Sequence, residues 1–209
     1  MHYEIIPVTP FQQNCTLLTC PDTRETAIVD PGGDLQRILD TLQRIQAKPA
    51  MILLTHGHLD HVGAAPELAD HLNLEILGPH EADAFWLDAL PQQAQMFGFP
   101  SAQPFRPDRW LNQGDHLSVG RCRLEVLHCP GHTPGHLVFF ERAAGLLQVG
   151  DVLFHGSIGR TDFPGGDHDA LLDAIRRRLL PLGDTLRFIP GHGVMSTLGE
   201  ERLNNPYLR

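Results

Sequence analysis

A segment rich in metal-binding side chains follows directly on a short apolar run, and it constrains the fold more than any other feature. The segment reads T-H-G-H-L-D-H and covers residues 55–61. Imidazole nitrogens and carboxylate oxygens are ligands that zinc and other first-row divalent metals accept. His56 and His58 are two residues apart, so a helix would not place them on one face, whereas a strand end or a loop can aim both at one ion. The pattern predicts half of a two-metal site at the end of a buried strand, and the alternative is a histidine-rich surface loop.

The remaining candidate ligands also follow predicted strands. Asp60 and His61 are adjacent and diverge, so they can reach a second ion near the first. His132, Asp151 and His192 each come after a predicted strand, and a glycine precedes each of them. Glycine lets the backbone turn sharply at a strand end. Ligands held in this way suit a rigid metal site on a sheet scaffold.

These seven side chains form two ligand sets that share one member. Three nitrogens serve the first ion: His56, His58 and His132. A carboxylate and two nitrogens serve the second: Asp60, His61 and His192. Asp151 can bridge both ions. The predicted cofactors are therefore two divalent metal ions per chain, with zinc as the first choice and iron and manganese as alternatives.

Asp30, in the turn D-P-G-G, has two interpretations. It hydrogen-bonds a ligating imidazole and fixes its orientation, or it stabilises its own turn. His136 is a weaker candidate for the same supporting role.

Short apolar runs alternate with helical patterns along the chain, and proline or glycine clusters separate them. Strands are predicted at residues 4–8, 15–20, 26–29, 51–54, 74–77, 116–119, 121–127, 136–141, 146–149 and 186–189. Helices are predicted at residues 34–46, 64–71, 80–90, 169–180 and 198–203. Asp34 is predicted to cap the first of these helices. The order of elements indicates an α/β (α+β) protein.

The stretch 91–107 contains four prolines, so it is predicted to resist regular structure. It also carries an unusual apolar load for a linker: Met96, Phe97, Phe99 and Phe105. The segment is interpreted either as a lid or wall of a substrate pocket, or as a loop folded onto the core or into a dimer contact. The second interpretation is favoured.

Bulk properties restrict the class of protein. The 209 residues suffice for one sizeable core. The formal net charge of −9 argues against nucleic acid as a partner, because nonspecific nucleic-acid binding needs a basic face. No apolar run approaches the length of a membrane span, and the N-terminal residues do not resemble a signal peptide. The predicted location is cytoplasmic, with no membrane partner.

The ordered motifs T-H-G-H-L-D-H, G-H-T-P-G-H, G-D and P-G-H-G resemble those of the metallo-β-lactamase superfamily, from about Thr26 to the C-terminus. The resemblance implies a four-layer αββα sandwich with the metal site at one edge. It also implies that residues 1–209 form a single domain of this type, without the C-terminal helical domain that holds glutathione in longer glyoxalases II.

Details of the motifs narrow the resemblance. A bridging aspartate, here Asp151, is typical of type II glyoxalases, lactonases and nucleases of the superfamily. The string at 156–163 and the ending at 204–208 resemble the short bacterial type II glyoxalases (hydroxyacylglutathione hydrolases). Arg160 matches a basic residue near the glutathione in that family, which implies that it holds a substrate carboxylate. The alternative for Arg160 is an ion pair with Asp162 or Asp167.

The reaction implied by the resemblance is hydrolysis of the thioester S-D-lactoylglutathione to D-lactate and glutathione. A hydroxide bridging the two ions would be the nucleophile, and Asp60 would orient it. The substrate would be a small-molecule glutathione thioester. Two alternatives stay open: a persulfide dioxygenase with a single iron, which residues 159–163 also resemble, and a lactonase or other hydrolase of the same superfamily.

Overall fold

Two β-sheets form the centre of the molecule, and the computed structural model describes residues 1–209. The first sheet contains, in spatial order, β1 (His2–Val8), β2 (Gln13–Thr19), β3 (Glu25–Val29), β4 (Lys48–Leu53) and β5 (Ile76–Leu77). The second contains β6 (His116–Val119), β7 (Cys122–His128), β8 (Leu137–Glu141), β9 (Leu146–Gly150), β12 (Arg187–Pro190) and β13 (Ser196–Thr197). A separate ribbon pairs β10 (Leu153–Phe154) with β11 (Ser157–Ile158).

Both sheets mix parallel and antiparallel pairs. In the first, β1, β2 and β3 are antiparallel, and β3, β4 and β5 are parallel. In the second, the spatial order is β13-β12-β9-β8-β7-β6, and only β12 and β9 run parallel. The ten predicted strands all correspond to observed strands.

The helices are α1 (Leu35–Arg44), α2 (Leu59–Val62), α3 (Ala65–Leu72), α4 (Ala84–Asp88), α5 (Leu90–Phe97), α6 (His168–Ala174) and α7 (Leu198–Asn204). Ile38 of α1 and Leu68 of α3 pack on the outer face of the first sheet against Leu17. Leu171 of α6 and Leu198 of α7 pack on the outer face of the second sheet. None of these helices has the length and apolar character needed to cross a membrane.

A separate cluster of apolar side chains lies between the two sheets. Strand β8 shows how the layers arise, because successive strand residues point to opposite faces. Leu137 and Phe139 face the first sheet, where they meet residues such as Leu53, whereas Val138 and Phe140 face the helices. All of β8 is buried, as expected for a strand covered on both sides. The layers therefore run helix, sheet, sheet, helix, and the predicted αββα sandwich is confirmed.

Two local predictions are wrong. The stretch 91–107 is not irregular throughout, because α5 reaches Phe97. Pro91 lies in the first turn of α5, where its missing N–H and fixed φ carry no penalty. Asp34 does not cap α1 through its side chain. Its carboxylate instead accepts the backbone N–H of Thr9 at 2.9 Å, which ties α1 to the β1–β2 turn.

Two predicted helices are interrupted. The helix expected at 80–90 is a 3-10 turn at Glu81–Asp83 followed by α4, and a new helix begins at Leu90. The helix expected at 169–180 begins at His168 and changes after Ala174 into a π-helical turn, Ile175–Leu179. The apolar periodicity of this region does not distinguish an α-helical turn from a π-helical one.

Candidate metal centre

The ends of four strands supply the candidate ligands at one edge of the sandwich. His56 and His58 follow β4, His132 follows β7, Asp151 follows β9 directly, and His192 follows β12. Asp60 and His61 lie on the short helix α2, for which His58 occupies the N-cap position. The structure brings together all seven side chains that the sequence singles out: His56, His58, Asp60, His61, His132, Asp151 and His192.

Three imidazole nitrogens converge in the first group. Nε2 of His56 and Nε2 of His132 each lie 3.0 Å from Nδ1 of His58. Two nitrogens bound to one zinc at about 2.0–2.1 Å are roughly 3 Å apart, so this spacing fits a shared ion. All three histidines are buried.

A carboxylate and two imidazoles form the second group. Oδ2 of Asp60 lies 3.2 Å from Nε2 of His192 and 3.8 Å from Nε2 of His61. Asp151 lies between the groups, with Oδ2 at 3.7 Å from Nε2 of His132 and 3.7 Å from Nε2 of His192. Its Oδ1 is 3.4 Å from Nε2 of His61. This carboxylate therefore reaches both groups.

Hydrogen bonds fix the tautomers of the histidines. In three of them Nδ1 donates to an oxygen that can only accept: His61 to the carboxylate of Asp30 at 2.9 Å, His132 to the carbonyl of Arg160 at 2.7 Å, and His192 to the carbonyl of Phe11 at 3.2 Å. Because Nδ1 donates in each ring, Nε2 is the nitrogen left to face the cluster. An imidazole oriented in this way is prepared to bind a metal.

Asp30 supports two of the ligand segments at once. Fully buried, it accepts the backbone N–H of Thr55 at 2.7 Å and the Thr55 hydroxyl at 2.6 Å, in addition to Nδ1–H of His61. The Thr55 oxygen lies 3.0 Å from Nδ1 of His56, which can therefore donate to it. Of the two interpretations of Asp30, the geometry favours the contact with an imidazole over a role in its own turn.

Charge in the cluster suits a cation. Burial holds the pKa of His56 and His58 well below the ordinary histidine value, so both imidazoles are neutral and each can offer a lone pair to a metal. Burial also acts on His61, but the carboxylates of Asp151, Asp60 and Asp30 outweigh it and raise the pKa of His61 to about 9. Nε2 of His61 and Oδ1 of Asp151 are buried without a hydrogen-bond partner. The donor set, its spacing and these two unpartnered atoms fit a divalent ion, which would take the place of a proton.

Two supporting residues have no counterpart in the sequence predictions. Buried Asp83 accepts the backbone N–H of Gly57 at 3.0 Å, the hydroxyl of Thr133 at 2.8 Å and the backbone N–H of Gly135 at 2.5 Å. It thereby ties the loop after β4 to the loop after β7, and burial raises its pKa to about 6. Gln93 accepts the backbone N–H of Leu59 at 2.9 Å.

His136 lies behind the cluster. Its ring stacks on that of His56, with centroids 4.7 Å apart and planes at 19°. Its Nε2 accepts the backbone N–H of Asp151 at 3.0 Å, and burial holds its pKa well below the ordinary value, so the ring is a neutral acceptor. His136 therefore positions both His56 and the backbone of Asp151.

A pocket of about 550 Å³ opens above the cluster. Its floor includes His58, Asp60, His132, Asp151 and His192. Its walls are mostly apolar, and they include Phe11, Trp86, Met96, Phe97, Phe99, Phe154, Ile158 and Phe163. The stretch 91–107 thus forms part of the wall through its first residues, while Phe99 and Phe105 also pack against the core of the first sheet. Residues of this stretch therefore line the pocket and also pack on the core, and Phe99 does both.

Arg160 lines the pocket and also forms the ion pair that was its alternative role. Its guanidinium donates to both carboxylate oxygens of Asp162, at 2.6 and 2.5 Å, and lies 4.1 Å from the ring centroid of Phe163. The side chain is 59% exposed, so this pair is open to solvent and to a competing anion.

An αββα sandwich with one all-histidine group and one histidine–aspartate group at one edge, beneath a pocket, is typical of the metallo-hydrolase superfamily. The sequence profile of the metallo-beta-lactamase superfamily matches residues 8–192. The chain belongs to this superfamily.

Relatives of similar length extend over nearly the whole chain. The hydroxyacylglutathione hydrolase GloC of Haemophilus influenzae is 50% identical over 209 residues, which cover 100% of this chain and 98% of the relative. The crystal structure of BLEG-1 B3 metallo-beta-lactamase superposes with a TM-score of 0.92 at 37% identity, covering 99% of each chain. TTHA1623 in a di-iron-bound form gives a TM-score of 0.90 at 36% identity, with 98% of this chain and 100% of that chain covered.

Proposed function

We propose that the protein is a metal-dependent hydrolase of glutathione thioesters, acting on S-D-lactoylglutathione to give D-lactate and glutathione. The observation that carries the proposal is the placement of two ligand groups, joined by Asp151, on the floor of an open pocket. The name of the 50% identical relative supports glutathione thioesters as the substrate class.

The proposed ligands are assigned by their groups. One ion would be held by His56, His58 and His132, the other by Asp60, His61 and His192, with Asp151 shared. Bound divalent ions, for which zinc is our first choice, would lower the pKa of water to about 7 and polarise a carbonyl oxygen. The di-iron form of TTHA1623 keeps iron as an alternative.

The remaining chemistry belongs to the side chains. Asp60 reaches the pocket and lies 3.2 Å from His192, so its carboxylate can accept a hydrogen bond from the O–H of the attacking water and orient it. Asp30, His136 and the Phe11 carbonyl hold the imidazoles and the Asp151 backbone rigid, which preserves the alignment during turnover. The leaving thiolate has a conjugate acid of pKa about 8.5, so it leaves without a dedicated general acid.

Arg160 is proposed to hold a carboxylate of the glutathione moiety. It lines the pocket, and its backbone carbonyl fixes His132, so the guanidinium is connected to the first ligand group by its own main chain. A substrate carboxylate would compete with Asp162 for the two donors.

The test is turnover by purified, metal-loaded protein with three substrates: S-D-lactoylglutathione, an acyl-homoserine-type lactone and a β-lactam. We expect loss of thioester absorbance with a kcat/KM at least 100-fold above that for either ring substrate, on the order expected for a dedicated site. Preference for a lactone or a β-lactam would reject the proposal. Oxygen uptake with glutathione persulfide, without thioester hydrolysis, would replace it with the persulfide dioxygenase alternative.

A further inference from the structure

The pocket has two chemically different ends. At one end the Arg160 guanidinium lies over Phe163, whose ring is 5.2 Å from that of His58. The backbone carbonyl of Arg160 also binds His132. This cationic end therefore adjoins the first ligand group. No other lysine or arginine lines the pocket.

The end beside the second ligand group is apolar and has no lysine or arginine, whereas at the Arg160 end the aromatic rings of Phe163 and Trp86 accompany a guanidinium. The Phe11 ring contacts Phe97 and Phe99 edge-on, with centroids 5.8 and 5.2 Å apart. Because the Phe11 carbonyl accepts from Nδ1 of His192, this end adjoins the second ligand group. Met96 completes the set, and we call Phe11, Met96, Phe97 and Phe99 the aromatic rim.

The aromatic rim is unusually open to solvent for apolar side chains. Phe11 is 45% exposed, Phe97 40% and Met96 74%, and all three line the pocket. They come from separate parts of the chain, the β1–β2 turn and the end of α5, yet meet at one mouth. Clustered apolar side chains that face water at a pocket mouth mark a surface that a ligand covers.

We propose that the aromatic rim is the subsite for an apolar acyl group of the thioester substrate, a proposal that rests on the proposed function. The scissile carbonyl then lies above Asp151, between the two ends. The thiol part extends toward Arg160 and the acyl part toward Phe97. Acyl groups with longer alkyl chains than the lactoyl group are the better substrates.

Charge decides this orientation. Glutathione carries two carboxylates, and the one cationic side chain of the lining is at the Arg160 end. With the thiol part at the aromatic rim, these carboxylates would have only water as a partner and would forgo the charge-assisted hydrogen bonds that the Arg160 guanidinium offers. The acyl group carries no such charge and can cover the rim.

The first test is kcat/KM for S-acetyl-, S-butanoyl- and S-hexanoylglutathione. Burial of one CH₂ contributes about 0.8 kcal/mol, so we expect kcat/KM to rise up to about fourfold per added CH₂. In Phe97→Ala this rise should fall by at least half. The matched control is Phe85→Ala, since Phe85 is also 40% exposed but does not line the pocket, and it should keep the wild-type rise.

A second test is independent of hydrolysis. Calorimetry would compare binding of the thioethers S-methylglutathione and S-hexylglutathione, which have no scissile carbonyl, to wild type, Phe97→Ala and Phe85→Ala. Tighter binding of the hexyl compound that Phe97→Ala alone reduces would support the rim as a subsite, even if no thioester is turned over and the proposed function fails. The subsite would be overturned by equal affinities for the two thioethers, by equal kcat/KM across the acyl series, or by equal losses in both variants. Thioester hydrolysis as the proposed function would not be affected by these outcomes.

Discussion

Replacing Asp30 by Asn tests how the second ligand group is prepared for metal. The carboxylate of Asp30 accepts from Nδ1 of His61 at 2.9 Å and from two donors of Thr55 at 2.7 and 2.6 Å. An amide has one acceptor in place of two. If the NH₂ of the new amide faces His61, the His61 imidazole must carry its proton on Nε2, the atom that faces Asp151 and Asp60. If the NH₂ faces Thr55 instead, it meets the backbone N–H of Thr55, and two buried donors then face each other.

Either arrangement has a calculable cost. A donor left without an acceptor in the interior costs about 1–3 kcal/mol. Loss of a carboxylate that orients a ligating histidine lowers metal affinity about 10- to 100-fold. The affinity change corresponds to about 1.4–2.7 kcal/mol and should fall on the second group, which contains His61. His56, in the first group, is linked to Asp30 only through the hydroxyl of Thr55, so the affinity of the first group should change less.

The assay is a zinc titration against a chromophoric chelator. We expect the affinity of one equivalent to fall 10- to 100-fold in Asp30→Asn and that of the other to change less than threefold, as rough bounds from the same effect. The control is Asp108→Asn, because Asp108 also accepts a backbone N–H, that of Ile76 at 2.7 Å, but lies outside the cluster. Two unchanged affinities in Asp30→Asn would refute the tautomer argument.

Three further outcomes follow from the structure. Arg160→Ala should raise KM for anionic thioesters about fivefold, the size expected of an exposed ion pair, and should raise KM for neutral thioesters less. Steady-state kinetics would show the difference, and equal effects on both would indicate a structural role. Gly191→Ala should lower the metal content measured by elemental analysis while circular dichroism stays native, because the added methyl would overlap the Asp151 carboxylate. Burial raises the pKa of the Glu201 carboxyl, but hydrogen bonds from Ser196 and other donors outweigh burial and lower this pKa below the ordinary glutamate value. The hydrogen bonds to the ionised carboxylate therefore stabilise the fold above about pH 4.3, and this stabilisation is lost as the pH falls. Glu201→Gln should therefore lack part of the wild-type fall in Tm between roughly pH 5 and 3, and equal slopes would contradict this.

The strands and the cluster were predictable because each leaves a local signal. Strand β8 is a continuous apolar run, and such runs bounded by turn residues identify buried strands. His56, His58 and Asp60 stand within five residues directly after a strand, a spacing that few roles other than metal binding explain. The glycines before His132, Asp151 and His192 marked the sharp turns that bring the remaining ligands to the same edge.

The supporting residues were not predictable, because their partners are distant in the chain. Asp83 lies 26 residues from Gly57 and 52 from Gly135, and an aspartate in a helical stretch is ordinary on the surface. Gln93 lies 34 residues from Leu59. Only the folded packing of α4 and α5 against the ligand loops gives these side chains their role.

Local patterns also failed where tertiary contacts decide. Asp34 stands where a capping residue is expected, yet its carboxylate binds the N–H of Thr9 in the β1–β2 turn. Proline usually interrupts a helix, yet Pro91 lies in the first turn of α5, where proline is tolerated. The second error matters for function, since the end of α5 carries Met96 and Phe97 into the pocket wall.

The most direct test of the central claim is the metal content and thioester turnover of wild type and Asp151→Ala. If Asp151 joins the two ligand groups, wild type binds two equivalents of metal per chain. The variant should then lose affinity for both and hydrolyse S-D-lactoylglutathione at least 100-fold more slowly, about 2.7 kcal/mol in transition-state stabilisation. Full turnover by Asp151→Ala, or two tightly bound metals in that variant, would contradict a site built on a shared aspartate.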